Sequence, residues 1–118
     1  PGISSRKVQM PDELSPQTGP ALSVVVPLFN EQESVGPLVR AVGEALADAP
    51  AWELVLVDDG SRDDTAAIAE ALAREDPRVR VVRLARNYGQ TAAMQAGFDH
   101  ARGAVVVSMD GDLQNDPR

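Results

Sequence analysis

From Leu22 onward the chain alternates between two hydrophobic patterns. Short, nearly continuous apolar runs occur at Leu22–Pro27 (LSVVVP), Glu53–Val57 (ELVLV), Val79–Leu84 (VRVVRL) and Ala104–Met109 (AVVVSM). Their length and β-branched content predict strands. Between them, apolar residues recur every three or four positions. Ser34–Asp48 carries Val35, Leu38, Val39, Val42 and Leu46 on one face, Asp63–Arg74 is Ala-rich with Ile68 and Leu72 inward, and Gly89–Arg102 groups Met94, Phe98 and Ala101. These are three helices. Ser34 is placed to cap the first, and Pro37 falls in its first turn, where a missing N–H does little harm. Ser61-x-x-Asp64 resembles a capping box with Asp in place of Glu, which assigns Asp63 and Asp64 to helix capping.

A βαβαβαβ succession with short connections predicts an α/β domain, a Rossmann-like parallel sheet of about four strands with helices on both faces and right-handed crossovers. The first, second and fourth strands read as buried on both faces. The third carries Arg80 and Arg83, which belong at a sheet edge. Strand order 3-2-1-4 satisfies this and puts a topological switch point between the first and fourth strands. Ligands of open α/β sheets bind at such a point, beyond the carboxyl ends of the strands. Residues 1–20, rich in Pro, Ser and Gly without periodicity, read as a flexible leader, and residues 21–118 as one domain.

Composition narrows the chemistry. With 118 residues there is room for one compact domain, and 43% hydrophobic with 25% charged residues is an ordinary globular mix. Eleven basic against 18 acidic residues give a net charge of −7, which argues against nucleic acid or an anionic membrane surface as the main partner. There is no cysteine, so disulfides, thiolate nucleophiles and Cys-type metal sites are excluded. No G-x-x-x-x-G-K-[ST] loop and no G-x-S-x-G elbow is present. No stretch reaches the roughly 18 apolar residues of a membrane span. Carboxylates are what remain in quantity.

They fall where the fold places ligands. Asp110 and Asp112 follow the fourth strand with Gly111 between them, a spacing that directs both side chains to one spot and lets a ligand approach the backbone. Oxygen donors of this kind select Mg²⁺ or Mn²⁺, and Gln114 adds an amide oxygen or orients a metal-bound water. Alone, D-x-D spacing is also common in turns; its position after an apolar strand favours function. Of Asp58 and Asp59, after the second strand, one shapes the turn and the other is free to accept the ring N–H of a nucleotide base. Arg86, in the polar loop Arg86–Gly89, reads equally as a phosphate ligand and as a solvated surface cation. His100 reads as exposed and Trp52 as packing.

At these residues a resemblance emerges. SVVVPLFNEQESV, LVLVDDGSRDDT, RLARNYGQTAAMQAGFDHARG and VVVSMDGDLQNDP resemble the successive motifs of family 2 glycosyltransferases with the GT-A fold, in particular bacterial enzymes like the dolichyl- and polyprenyl-phosphate sugar transferases. The likeness runs from Leu22 to Arg118, 97 of the 118 residues. It implies that Pro27, Phe29 and Glu31 line a nucleotide-sugar pocket, with Asn30 supporting the turn. Asp59, after Val57, would contact the base, and Arg86 would lie near the nucleotide-sugar. Asp110, Gly111 and Asp112 would meet the diphosphate, with Asp110, Asp112 and Gln114 holding Mg²⁺ or Mn²⁺. The donor would be a UDP- or GDP-sugar and the acceptor a polyprenyl phosphate, at the cytoplasmic face of the membrane. In such enzymes the acceptor site and general base follow the D-x-D element, so the base is expected beyond Arg118 and this chain alone is expected to turn over poorly or not at all. An uncovered sheet edge would invite self-association.

Two other readings start from the same residues. A Mg²⁺-binding receiver-like signalling module would want its acidic pair after the first strand and a Lys after the fifth. A nucleotidyltransferase would want a glycine-rich basic loop where PLFNEQES stands.

Overall fold

The computed structural model describes residues 19–109. The leader, over residues 1–18, and Asp110, Gly111, Asp112 and Gln114 lie outside the described residues. The elements follow the order β1 (Leu22–Leu28), α1 (Val35–Ala45), β2 (Trp52–Asp58), α2 (Thr65–Glu75), β3 (Val79–Arg83), α3 (Gln90–His100) and β4 (Val105–Ser108). They form one four-stranded sheet of order β3-β2-β1-β4. All three pairings are parallel, with Leu22 opposite both Trp52 and Val105 and Leu54 opposite Val79.

Strand alternation divides the interior in two. Val24, Val26, Leu28, Leu54 and Leu56 pack on one face against Val35, Leu38 and Val42 of α1 and Ala69 of α2. Val25, Val55 and Val57 pack on the other against Ala93 of α3. Helices therefore cover both faces, as the crossover rule requires. β3 is an edge strand, and its arginines find acids: Arg80 lies 2.7 Å from Glu53 and Arg83 3.3 Å from Glu70.

Four expectations need correction. Among the described residues β4 is exposed, Val105, Val106 and Val107 retaining 56%, 38% and 43% of their surface, where the expectation was burial on both faces. It pairs only with β1 among the described residues, and α3 sits over β1 and β2 instead. The buried residues of α3 are Ala93 and Gly97, not Phe98, which is 43% exposed. A Cβ at Gly97 would stand 2.2 Å from Val25 Cγ1, so the helix crosses the sheet at its smallest residue and larger side chains turn outward. α1 stops at Ala45, short of Asp48, where the chain tightens into i→i−3 turns, the Ala47 amide donating to Glu44 O at 3.4 Å and the Ala49 amide to Leu46 O at 2.9 Å. Ser34 makes no side-chain cap bond, and neither does Asp64. Asp63 caps α2 from just outside it, its Oδ1 accepting from the Thr65 amide at 2.9 Å and from the Thr65 hydroxyl.

Candidate functional site

Three connections meet at the carboxyl edge of the sheet, after β1, β2 and β3, and they are tied to one another chiefly through main-chain amides. Asn30 holds the left-handed conformation (φ 52°), which Asn tolerates better than most residues. There its amide donates to Ser61 Oγ at 2.9 Å, while its Oδ1 accepts from the Arg62 amide at 2.8 Å. The Glu31 amide donates to Thr65 Oγ1 at 2.8 Å, and the Asp64 amide to Gln32 Oε1 at 3.0 Å. Ser61 is thus used across the loops and not as the cap its spacing suggested.

Asp58 and Asp59 divide their labour. Asp58 Oδ2 accepts from the Ser61 amide at 3.3 Å, closing the turn, and its Oδ1 is buried with no hydrogen-bond partner among the described residues. Asp59, 3% exposed, reaches the loop after β3. Its Oδ1 accepts from the Tyr88 amide at 2.8 Å, and its Oδ2 from the Gly89 amide at 3.0 Å and Asn87 Nδ2 at 2.9 Å. Gly60 (φ +73°) completes the fit, since a Cβ there would stand 2.3 Å from the Arg86 carbonyl carbon.

The expected ligand-binding residues separate by exposure. Pro27 is buried near the end of β1. It occupies the same side of the backbone as Val25, whose carbonyl accepts from the Met109 amide. Having no N–H, Pro27 offers no donor to continue that ladder; among the described residues β1–β4 pairing ends at Val25 and Ser108, while β1–β2 pairing continues to Leu28 and Asp58. Phe29 is 40% exposed just beyond, and Glu31 is half-buried. Arg86 is exposed, its guanidinium 5.1 Å above the Tyr88 ring. Val57 is fully buried against α3, so its side chain belongs to the core. Asp63 shares the edge; burial pushes its carboxyl up, but bonds from Thr65 and Gln32 hold it below the ordinary range. Among the described residues no three acids or histidines are grouped to hold a metal ion.

Sequence reasoning missed Asn87 and Thr65, which the arrangement makes structural partners of the site, and it missed the buried Glu53 altogether. The available signal for Glu53 was a lone acid in an otherwise apolar strand.

Residues 23–118 match the family described as Glycosyl transferase family 2. The chain belongs to that family. Among curated family 2 relatives, the dodecaprenyl-phosphate galacturonate synthase of Rhizobium johnstonii is 59% identical over 99 residues, 82% of this chain and 29% of that protein. An undecaprenyl-phosphate 4-deoxy-4-formamido-L-arabinose transferase of Pseudomonas fluorescens is 50% identical over 98 residues, 81% of this chain and 29% of that protein. The chain therefore spans less than a third of these relatives' length. Among solved structures, the mannosyltransferase PcManGT of Pyrobaculum calidifontis, in complex with GDP-Man and Mn²⁺, superposes with a TM-score of 0.71 at 28% identity, covering 80% of this chain and 28% of that one. TarS 1-349 of S. aureus in complex with UDP-GlcNAc gives 0.67 at 31% identity, covering 77% and 26%. The GT-A fold of family 2 is thereby shown, and the receiver-like and nucleotidyltransferase readings are not favoured. The two structural relatives hold different nucleotides, so the fold by itself does not select the base.

Proposed function

We propose that the protein transfers a sugar from a UDP- or GDP-sugar to a polyprenyl phosphate, and that this chain holds the donor. The observation that carries this reading is that three cross-bonded loops share the carboxyl edge of a family 2 sheet. The two curated relatives differ in the sugar their names state and share a polyprenyl-phosphate acceptor, which supports that acceptor class here.

Pro27, Phe29 and Glu31 line the nucleotide pocket, and the exposed Phe29 ring supplies an apolar wall. A carboxylate has about four lone-pair sites. Asp59 takes three donors from Asn87, Tyr88 and Gly89, which leaves one site for the ring N–H of the base. Base recognition and the path of the Arg86 loop then depend on the same carboxylate. Arg86 supplies positive charge toward the phosphates.

Asp110, Asp112 and Gln114 present hard oxygen donors in sequence directly after β4, a donor set that fits Mg²⁺ or Mn²⁺. Such an ion, when bound, stabilises negative charge developing on the departing diphosphate. Among the described residues no helix is long and apolar enough to cross a membrane; a polyprenyl-phosphate acceptor, the class named for the curated relatives, supports a reaction at a membrane surface.

Calorimetric titration of UDP and GDP with and without Mn²⁺, into the full-length protein and its Asp112→Asn variant, tests this. Metal-dependent binding of one nucleotide, lost in the variant, is expected. A folded protein that binds neither nucleotide overturns the donor-site reading.

A further inference from the structure

The end of the sheet opposite the loops holds a second polar cluster, built on Glu53. This glutamate is 2% exposed in the second strand of a parallel sheet, a position that ordinarily takes Val, Ile or Leu. Its Oε2 accepts from Ser23 Oγ at 2.6 Å and from the Arg102 amide at 2.7 Å. Its Oε1 accepts from Arg80 Nη1 at 2.7 Å, and Arg102 Nε stands 3.4 Å away. Ser23 Oγ accepts in turn from the Gly103 amide at 2.7 Å. Arg80 also donates to the His100 carbonyl at 2.9 Å, which ties in the last residue of α3. Burial pushes the Glu53 carboxyl up, and the bonds from Ser23, Arg102 and Arg80 more than offset this, so the group stays ionised.

Gly103 lies against β1 with no room for a side chain: a Cβ would stand 2.7 Å from both Ser23 N and Ser23 Oγ. Two residues later the ladder begins, the Val105 amide donating to the Ala21 carbonyl at 3.0 Å. β4 is four residues long and has one neighbour, β1, among the described residues. A strand's register is usually enforced by burying one face, and a slip by one residue exchanges the faces. Among the described residues all four of β4 are exposed, so the contacts just ahead of the strand are the ones seen to hold its register. Gly103 and Arg102, pinned by their amides to Ser23 and Glu53, fix where the strand starts.

We propose that Ser23, Glu53 and Gly103 set the register of β4 on β1, and so act as positioning residues for the carboxyl end of that strand at Met109. A one-residue slip would carry the end of β4 about 3.3 Å along the sheet. The register part stands on the geometry above; its effect on metal binding rests on the reading that Asp110 and Asp112 hold the ion.

Hydrogen exchange followed by mass spectrometry, with Mn²⁺ titration, separates the two. The full-length protein is compared with Ser23→Ala, which removes one hydroxyl, with Glu53→Gln, and with Asp112→Asn. In Ser23→Ala and Glu53→Gln, exchange over Val105–Ser108 is expected to rise about tenfold, the scale of one lost hydrogen bond. Exchange over Leu54–Val57 stays as it was, and Mn²⁺ binding weakens by a similar factor while metal-free nucleotide binding holds. Unchanged exchange over Val105–Ser108 in Ser23→Ala overturns the proposal, as does an equal rise over Leu54–Val57, which marks general destabilisation. Asp112→Asn should lose Mn²⁺ without altering β4 exchange. If it keeps Mn²⁺, the metal reading fails, while the exchange comparison still decides the register.

Discussion

Asp59 and Tyr88 are joined by a 2.8 Å hydrogen bond from the Tyr88 amide to a buried carboxylate oxygen, so the loop after β3 is fastened to the turn after β2. Asp59→Asn replaces one acceptor oxygen with an NH₂ group facing donors. It is expected to cost about 1–3 kcal/mol of stability and to weaken nucleotide binding together. Urea melts and calorimetry on the same samples check this. Loss of affinity with unchanged stability would instead make Asp59 a ligand contact without a structural duty.

Gly60 permits that fastening. Gly60→Ala would force a Cβ to within 2.3 Å of the Arg86 carbonyl carbon at a φ of +73°. Strain of about 1–3 kcal/mol is expected for the conformation alone, with the clash added. Thermal melts should show the loss, and Gly60→Asn should be no milder, since it carries the same Cβ.

Gly97→Ala tests the packing of α3. Its Cβ would stand 2.2 Å from Val25 Cγ1 and 3.0 Å from Val57 Cγ2, an overpacking that costs about 1–3 kcal/mol. Combining it with Val25→Ala should recover part of that loss, because the atom in the way is removed. A double-mutant cycle with no coupling would contradict this account.

Acid should act on Glu53 with a definite sign. The carboxyl sits below its ordinary value of 4.5 in the folded chain, so its contribution is complete above about pH 4.5 and disappears as pH falls through the lower folded value. Asp63 and Asp76 shift in the same direction. The difference in unfolding free energy between wild type and Glu53→Gln isolates the Glu53 part: it should shrink on acidification below pH 4.5. A constant difference would show that hydrogen-bond geometry, not charge, is what Glu53 provides.

Much of this architecture was legible in the chain. Arg80 and Arg83 put β3 at an edge, and with the run of Val in the other strands this yielded the strand order. The acidic turn Asp58–Gly60 marked the carboxyl edge. What stayed hidden depends on neighbours remote in sequence or on residues with no hydrophobic signal. Ser23, Glu53 and Gly103 meet across 80 positions. Ala93 and Gly97 carry the α3 contact because they are small, while periodicity counts large residues and so selected Phe98. Ser34 and Ser61 have the spacing of caps, yet the Ser61 hydroxyl was taken by Asn30 across the loop and Asp63 capped α2 in its place. Asp110 and Asp112 lie outside the described residues, so their role belongs to the proposed function alone.

The main-chain amides that join the three loops bind acceptors on only a few side chains: Asn30, Gln32, Ser61, Thr65, Asp58, Asp59 and Asp63. Donation by an amide is indifferent to the side chain that residue bears. Phe29, Arg62, Arg86 and Tyr88 are exposed, and their side chains accept none of these bonds. The loop path and the chemistry displayed on it are therefore separable. Those four positions are the ones to vary in a library aimed at changing donor preference, with the acceptor side chains held constant as the frame.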